Sequence, residues 1–261
     1  MRTRQQKRRA TVIATDPAWE AMKAAPRNLG HDEAVQIVAR LQRQYRLQWS
    51  DRMAESPVDL NVILKTLTQK RIPFVLTGAH GIASWTGIPR NTEDVDILVK
   101  GGRNLTRAVK AIRALYPQLE ERNFPGVTAF FLPGETASVI DVTYPHRADL
   151  AETLANPTWT EKPALGLRYR VPSLDEALAN KYGAMLTPTR RLDKRLVDAA
   201  DFTRMVQHSE DEGQRRIDHT RVAELGEMVW PGGGGQEILR LVEQVKAGKA
   251  IQLDALGQLK S

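Results

Sequence analysis

The chain of 261 residues has no cysteine. That excludes a disulfide framework, thiolate metal sites and a cysteine nucleophile, and it permits a reducing compartment. No apolar run approaches the ~18–20 residues that a membrane-spanning helix needs, so no membrane partner is expected. The first residues are basic (Arg2, Arg4, Lys7, Arg8, Arg9), but the stretch after them is broken by Asp16 and Pro17 and is no export core. The expectation is a cytoplasmic protein. There is no internal repeat, no Ser/His/Asp set and no His-Glu-x-x-His zinc pattern. The glycine run at 231–235 has neither a preceding strand nor a following Lys-Ser/Thr, so it is not a phosphate loop and reads as a flexible linker.

What is present is an ordinary globular composition, 41% hydrophobic and 26% charged. A chain of this length buries roughly 70–75% of its unfolded surface without a staple. Lys and Arg outnumber Asp and Glu, 38 to 31, giving a formal charge of +7. That surplus favours polyanionic partners, nucleotides or nucleic acid, without choosing between them.

Three regions follow from the pattern. Residues 1–56 form a basic, partly helical extension, with apolar residues at helical spacing over 32–49 and Arg40, Arg43 and Arg46 on the opposite face. That basic face is either simply solvated or turned toward nucleic acid. Residues 57–171 form an α/β core. A helix opens at Ser56-Pro57 and ends near Lys70, and a buried strand at 74–77 runs into Gly78. A helix is expected over 79–86, a strand over 94–99, a helix over 104–115, and strands over 127–132 and 138–144. The fold class is therefore α/β, a small mixed sheet with helices. Residues 172–261 are helical, opened by the capping residues Ser173 and Glu176. His208 and His219 lie in a polar stretch without metal-ligand spacing and read as surface residues.

The chemistry concentrates around Asp94 and Asp96. Two residues apart on a strand, they direct their carboxylates to one side. Their repulsion favours protonation of one of them or neutralisation by a hard cation such as Mg²⁺. On its own, Asp-x-Asp is a weak signal, because solvated strand-edge acids and sugar-nucleotide sites share the spacing. An EF-hand is disfavoured by the apolar Ile97-Leu98-Val99 that follows. Two further features strengthen the metal reading. Gly78 follows a strand where backbone amides can cradle phosphate. Asp141 is a lone acid within an apolar strand, where it needs a compensating partner. His80, beside the turn, is a weaker candidate for contact with a nucleotide.

The combination of Gly78-Ala79, the segment Gly87-Ile88-Pro89-Arg90-Asn91-Thr92-Glu93-Asp94-Val95-Asp96 and Asp141 resembles the nucleotidyltransferase superfamily. The resemblance is to the bacterial branch typified by AbiEii-like and MenT-like toxins and covers about residues 72–144. It implies Asp94, Asp96 and Asp141 as the catalytic, metal-binding set for two Mg²⁺ ions, with Mn²⁺ as a substitute. It also implies Gly78, Ala79, Arg90, Lys181 and Arg191 as nucleotide-binding residues. Many members carry Gly-Ser or Gly-Gly at the turn, so Ala79 leaves phosphate to backbone amides. Arg90 either fixes the loop or meets the nucleotide, and Lys181 is either a solvated helix lysine or a triphosphate contact. Arg190, Arg191, Lys194 and Arg195 stand close to Asp193, Asp198 and Asp201, with which salt bridges are expected. The implied activity is transfer of a nucleoside monophosphate from a nucleoside triphosphate to an acceptor hydroxyl on RNA or tRNA. The implied setting is a toxin–antitoxin system, with an antitoxin protein as partner. Two other readings stay open: a fold without turnover that binds nucleic acid or a protein, and an antibiotic-modifying nucleotidyltransferase.

Overall fold

The computed structural model describes residues 58–87, 92, 94–162, 166–211 and 216–253. The expected helix at 32–49 and the side chain of Arg90 lie outside them.

Helix α1 (Leu60–Gln69) starts later than Ser56-Pro57 suggests. Asp59 is the cap, its carboxylate accepting from the amides of Asn61 and Val62. Leu60, Ile63, Leu64 and Leu67 form its buried stripe. Pro73 prevents continuation, and strand β1 (Phe74–Leu76) follows. The helix expected at 79–86 is only one turn, α2 (Gly78–Gly81). Strand β2 (Val95–Val99) and helix α3 (Arg103–Leu115) come next. Then β3 (Glu120–Phe124), β4 (Val127–Phe131) and β5 (Ser138–Thr143) complete a five-stranded sheet in the order β1-β2-β5-β4-β3. Only β2 and β5 run parallel; every other pair is antiparallel. The fold is thus a mixed α/β arrangement.

The sheet's two faces are covered differently. Val95, Ile97 and Val99 of β2 join Ile140 and Val142 of β5 in the main core with α1 and α3. Burying each such side chain contributes about 1.5–3 kcal/mol. On the opposite face, Leu98 and Val75 pack against Leu150 of helix α4 (Ala148–Ala155). Because side chains alternate, Asp96 lies on the same face as Leu98, beyond the part that Leu150 covers.

A two-stranded hairpin, β6 (Thr158–Lys162) with β7 (Leu167–Val171), lies beside β1, where the Arg170 guanidinium donates to the Phe74 carbonyl at 2.9 Å. Four helices follow among the described residues: α5 (Leu174–Leu186), α6 (Leu192–Asp211), α7 (His219–Val229) and α8 (Gly234–Lys246). Ser173 caps α5 as its sequence suggests, its hydroxyl accepting from the amide of Glu176. These helices enclose a second core around Leu178, Tyr182, Phe202, Val206, Leu225 and Leu241, into which Ile82 of the sheet region also packs.

The glycine run is a compact turn rather than a flexible linker: the Glu227 carboxylate accepts from the amides of Gly232, Gly233 and Gly235. A Cβ on Gly234 would stand 2.1 Å from the Gly226 carbonyl, so the two helices meet too closely for a larger residue. His208 is buried rather than on the surface, its ring packed against Gly87. Gly87 has φ +67° and faces that imidazole, so this glycine both turns the chain and makes room for the ring.

Candidate metal and nucleotide site

The pairing of β2 with β5 sets Asp96 directly opposite Asp141. In parallel strands, residues in register face the same side, so the two carboxylates are neighbours. Asp94 lies two residues before Asp96, just ahead of β2, and Thr92 donates its hydroxyl to the Asp94 carboxylate at 2.5 Å. One oxygen from each of the three carboxylates lies within 4.8 Å of the others. At an effective dielectric of about 20, each pair of full charges at that separation repels by roughly 3 kcal/mol.

The consequences appear in the proton affinities. Burial, followed by the charges of Asp94 and Asp141, pushes the Asp96 carboxyl well above the usual range. Burial raises Asp141 to about 6 despite a hydrogen bond from Ser138, with Asp94 adding to the rise. One buried oxygen of Asp141, Oδ1, has no hydrogen-bond partner. A buried acceptor left in this state is costly and uncommon in a native fold. Three hard oxygen donors, mutual repulsion and an unsatisfied carboxylate oxygen together fit a divalent cation of the Mg²⁺ class.

Gly78 holds the back of this site. It has φ +59°, and a Cβ there would fall 1.8 Å from Asp96 Oδ2. The preceding amide, that of Thr77, donates to the Asp96 carbonyl at 2.9 Å. The glycine is therefore needed both for its left-handed backbone and for the close approach of the carboxylate. Ala79 and His80, next in this turn, are buried.

The helical half supplies the cations. Lys181 on α5 is buried rather than solvated, with Nζ at 2.9 Å from Asp198 and 2.8 Å from Asp201. Arg190, in the turn between α5 and α6, donates Nε to Asp198 at 2.6 Å. The charges of Lys181 and Arg190 both act on Asp96, and Arg190 also acts on Asp94 and Asp141. Within the arginine cluster, Arg191 is the residue expected at the nucleotide. Arg191 is 79% exposed and paired with Asp193, whereas the charge of its neighbour Arg190 reaches all three aspartates and that of Lys194 reaches Asp141. Arg190 is held in place by Asp198, an acid buried within α6 eight residues further on. Arg195 is also buried and donates to the Met185 carbonyl.

No family model and no curated protein matches the chain. Solved structures do. An antigenic nucleotidyltransferase-like protein from Paracoccidioides brasiliensis is 19% identical, with a TM-score of 0.42, over 73% of this chain and 91% of that one. A CCA-adding enzyme in complex with ATP is 16% identical, with a TM-score of 0.30, over 73% of this chain and 52% of its own length.

Proposed function

We propose that the protein is a metal-dependent nucleotidyltransferase that joins a nucleoside monophosphate from a nucleoside triphosphate to an acceptor hydroxyl, releasing pyrophosphate. The observation that carries this reading is the Asp94, Asp96 and Asp141 cluster, with its oxygens within 4.8 Å and one of them buried without a partner. Those three residues would hold Mg²⁺, which when bound supplies Lewis-acid neutralisation of phosphate charge and activation of the acceptor oxygen.

The remaining work belongs to this chain's own side chains. Asp94 is oriented by Thr92, and Asp96 is braced against Gly78, so both carboxylates are set before a ligand arrives. Arg190 stays charged beside them and meets the triphosphate. Lys181, tied to Asp198 and Asp201, supplies a fixed positive charge. The amides of Gly78 and Ala79, at the start of a turn, are assigned to phosphate, since the first amides of a helical turn have no partner inside it.

RNA, tRNA included, is the acceptor class we assign, supported by the net charge of +7 and by the sequence resemblance. ATP as the nucleotide, a toxin role with an antitoxin partner and a cytoplasmic setting extend the same reading and rest on sequence alone. The test is incubation with each labelled nucleoside triphosphate, Mg²⁺ and total RNA. Wild type is expected to transfer label, and Asp94→Ala to lose at least about 100-fold, the scale set by removing electrostatic stabilisation of the transition state. Equal transfer by both proteins, or none with any nucleotide, would count against the reading.

A further inference from the structure

The hairpin β6–β7 presents an outer face that the proposed transfer site does not use. Tyr169 and Val171 are buried toward the core, whereas Trp159 is 53% exposed. In register, Trp159 pairs with Arg170 and Glu161 with Arg168, so these four side chains share the outward face. The guanidinium carbon of Arg168 lies 4.6 Å from the centre of the Trp159 ring, and that of Arg170 lies 5.8 Å away. Arg170 is anchored by its bond to the Phe74 carbonyl. The only acid of the face, Glu161, stands 3.7 Å from Arg168, and both side chains are mostly exposed. Exposed pairs of that kind contribute at most about 1 kcal/mol, so a phosphate can replace the carboxylate.

A half-exposed indole with two guanidiniums over its ring offers a stacking surface and phosphate donors together, which is the chemistry that binds single strands. Its position fits as well. Arg170 is two residues ahead of Pro172, roughly 7 Å along the strand, and a Cβ on Gly81, in the turn that begins at Gly78, would contact the Pro172 ring. The platform therefore stands on the sheet edge that leads to the aspartates.

We infer that the outer face of this hairpin binds single-stranded nucleic acid, with a base stacked on Trp159 and its phosphates against Arg168 and Arg170. Its role as the seat of the acceptor strand rests on the transfer reading above; the binding itself does not. The test is fluorescence anisotropy of end-labelled RNA and DNA oligonucleotides, titrated with full-length protein in EDTA and without nucleotide. Wild type binds, and Trp159→Ala weakens binding by about 5- to 150-fold, the range for loss of one stacked base. Trp159→Tyr retains most of the affinity, and unchanged circular dichroism separates lost binding from lost folding. Arg168→Ala lowers the slope of log K against log salt by about 0.7. A stronger effect on the RNA arm than on the DNA arm identifies RNA as the strand. Absence of wild-type binding, or equal affinity of Trp159→Ala and wild type for both oligonucleotides, overturns the inference. Because neither metal nor nucleoside triphosphate is present, failure of label transfer leaves this result standing, and the converse also holds.

Discussion

Two clusters of partly or fully buried acids share the influence of Lys181 and Arg190, and they are treated in opposite ways. On the helical side, Asp198 and Asp201 share Lys181, and Asp198 also accepts from Arg190, so each acid has a cation within hydrogen-bonding distance. On the sheet side, Asp94, Asp96 and Asp141 crowd one another, two of them with raised proton affinity and one with an unsatisfied oxygen. The first cluster is a completed structural network. The second carries a negative charge that the described residues only partly offset, through Lys181, Arg190 and Lys194 at longer range. Carboxylates perturbed in this way cluster at functional sites.

The largest effect that would sharpen this contrast is on stability. Asp198→Ala leaves Lys181 and Arg190 without their shared acceptor and is expected to lower the urea-unfolding free energy by about 3–5 kcal/mol. Arg191→Ala, which breaks only the exposed pair with Asp193, leaves the midpoint unchanged within error. Equal costs for these two substitutions would break the comparison.

A smaller effect is expected where the sheet site meets its turn. Gly78→Ala forces an L-residue to φ +59° and drives a methyl group into the Asp96 carboxylate. The cost is about 1–3 kcal/mol, and the displaced Asp96 abolishes any melting response to Mg²⁺. A variant as stable as wild type that still responds to Mg²⁺ would show that the close approach of Gly78 to Asp96 is incidental.

The aspartate site was readable in the sequence because its signals are local. Asp94 and Asp96 flank an apolar position, and Asp141 is an acid among β-branched neighbours, an arrangement that demands a partner. Helices α1, α3 and α5 were readable from apolar spacing and, for α5, from the Ser173 cap. Strand β3 was not, because Glu120-Glu121-Arg122-Asn123 at a sheet edge has no apolar alternation. In hairpin β6–β7 the signal was present in one strand only: Leu167-Arg168-Tyr169-Arg170-Val171 alternates apolar with polar and was overlooked, whereas β6 has Trp159 as its single apolar residue. Helices α4 and α7 were also missed, each being short and mixed with polar residues. The burial of Lys181 and His208 depends on partners remote in the chain: Asp198 and Asp201 for the lysine, Gly87 for the histidine. Spacing within a helix does not contain that information.

Melting of wild type and Asp141→Asn with EDTA or millimolar Mg²⁺ decides whether a cation completes the aspartate cluster. Asp141 is raised in the folded protein to about 6, so its contribution to stability is present below the unfolded value near 4 and is lost as pH rises through about 6. In EDTA, wild type is therefore expected to be less stable than Asp141→Asn at about pH 8 by roughly 1–2 kcal/mol, discounted for partial exposure and shared titration. That difference is expected to disappear at about pH 4. Mg²⁺ at about pH 8 should raise the melting temperature of wild type by several degrees and that of Asp141→Asn by much less. No response of wild type to Mg²⁺, or equal responses of the two proteins, would show that no cation completes the cluster.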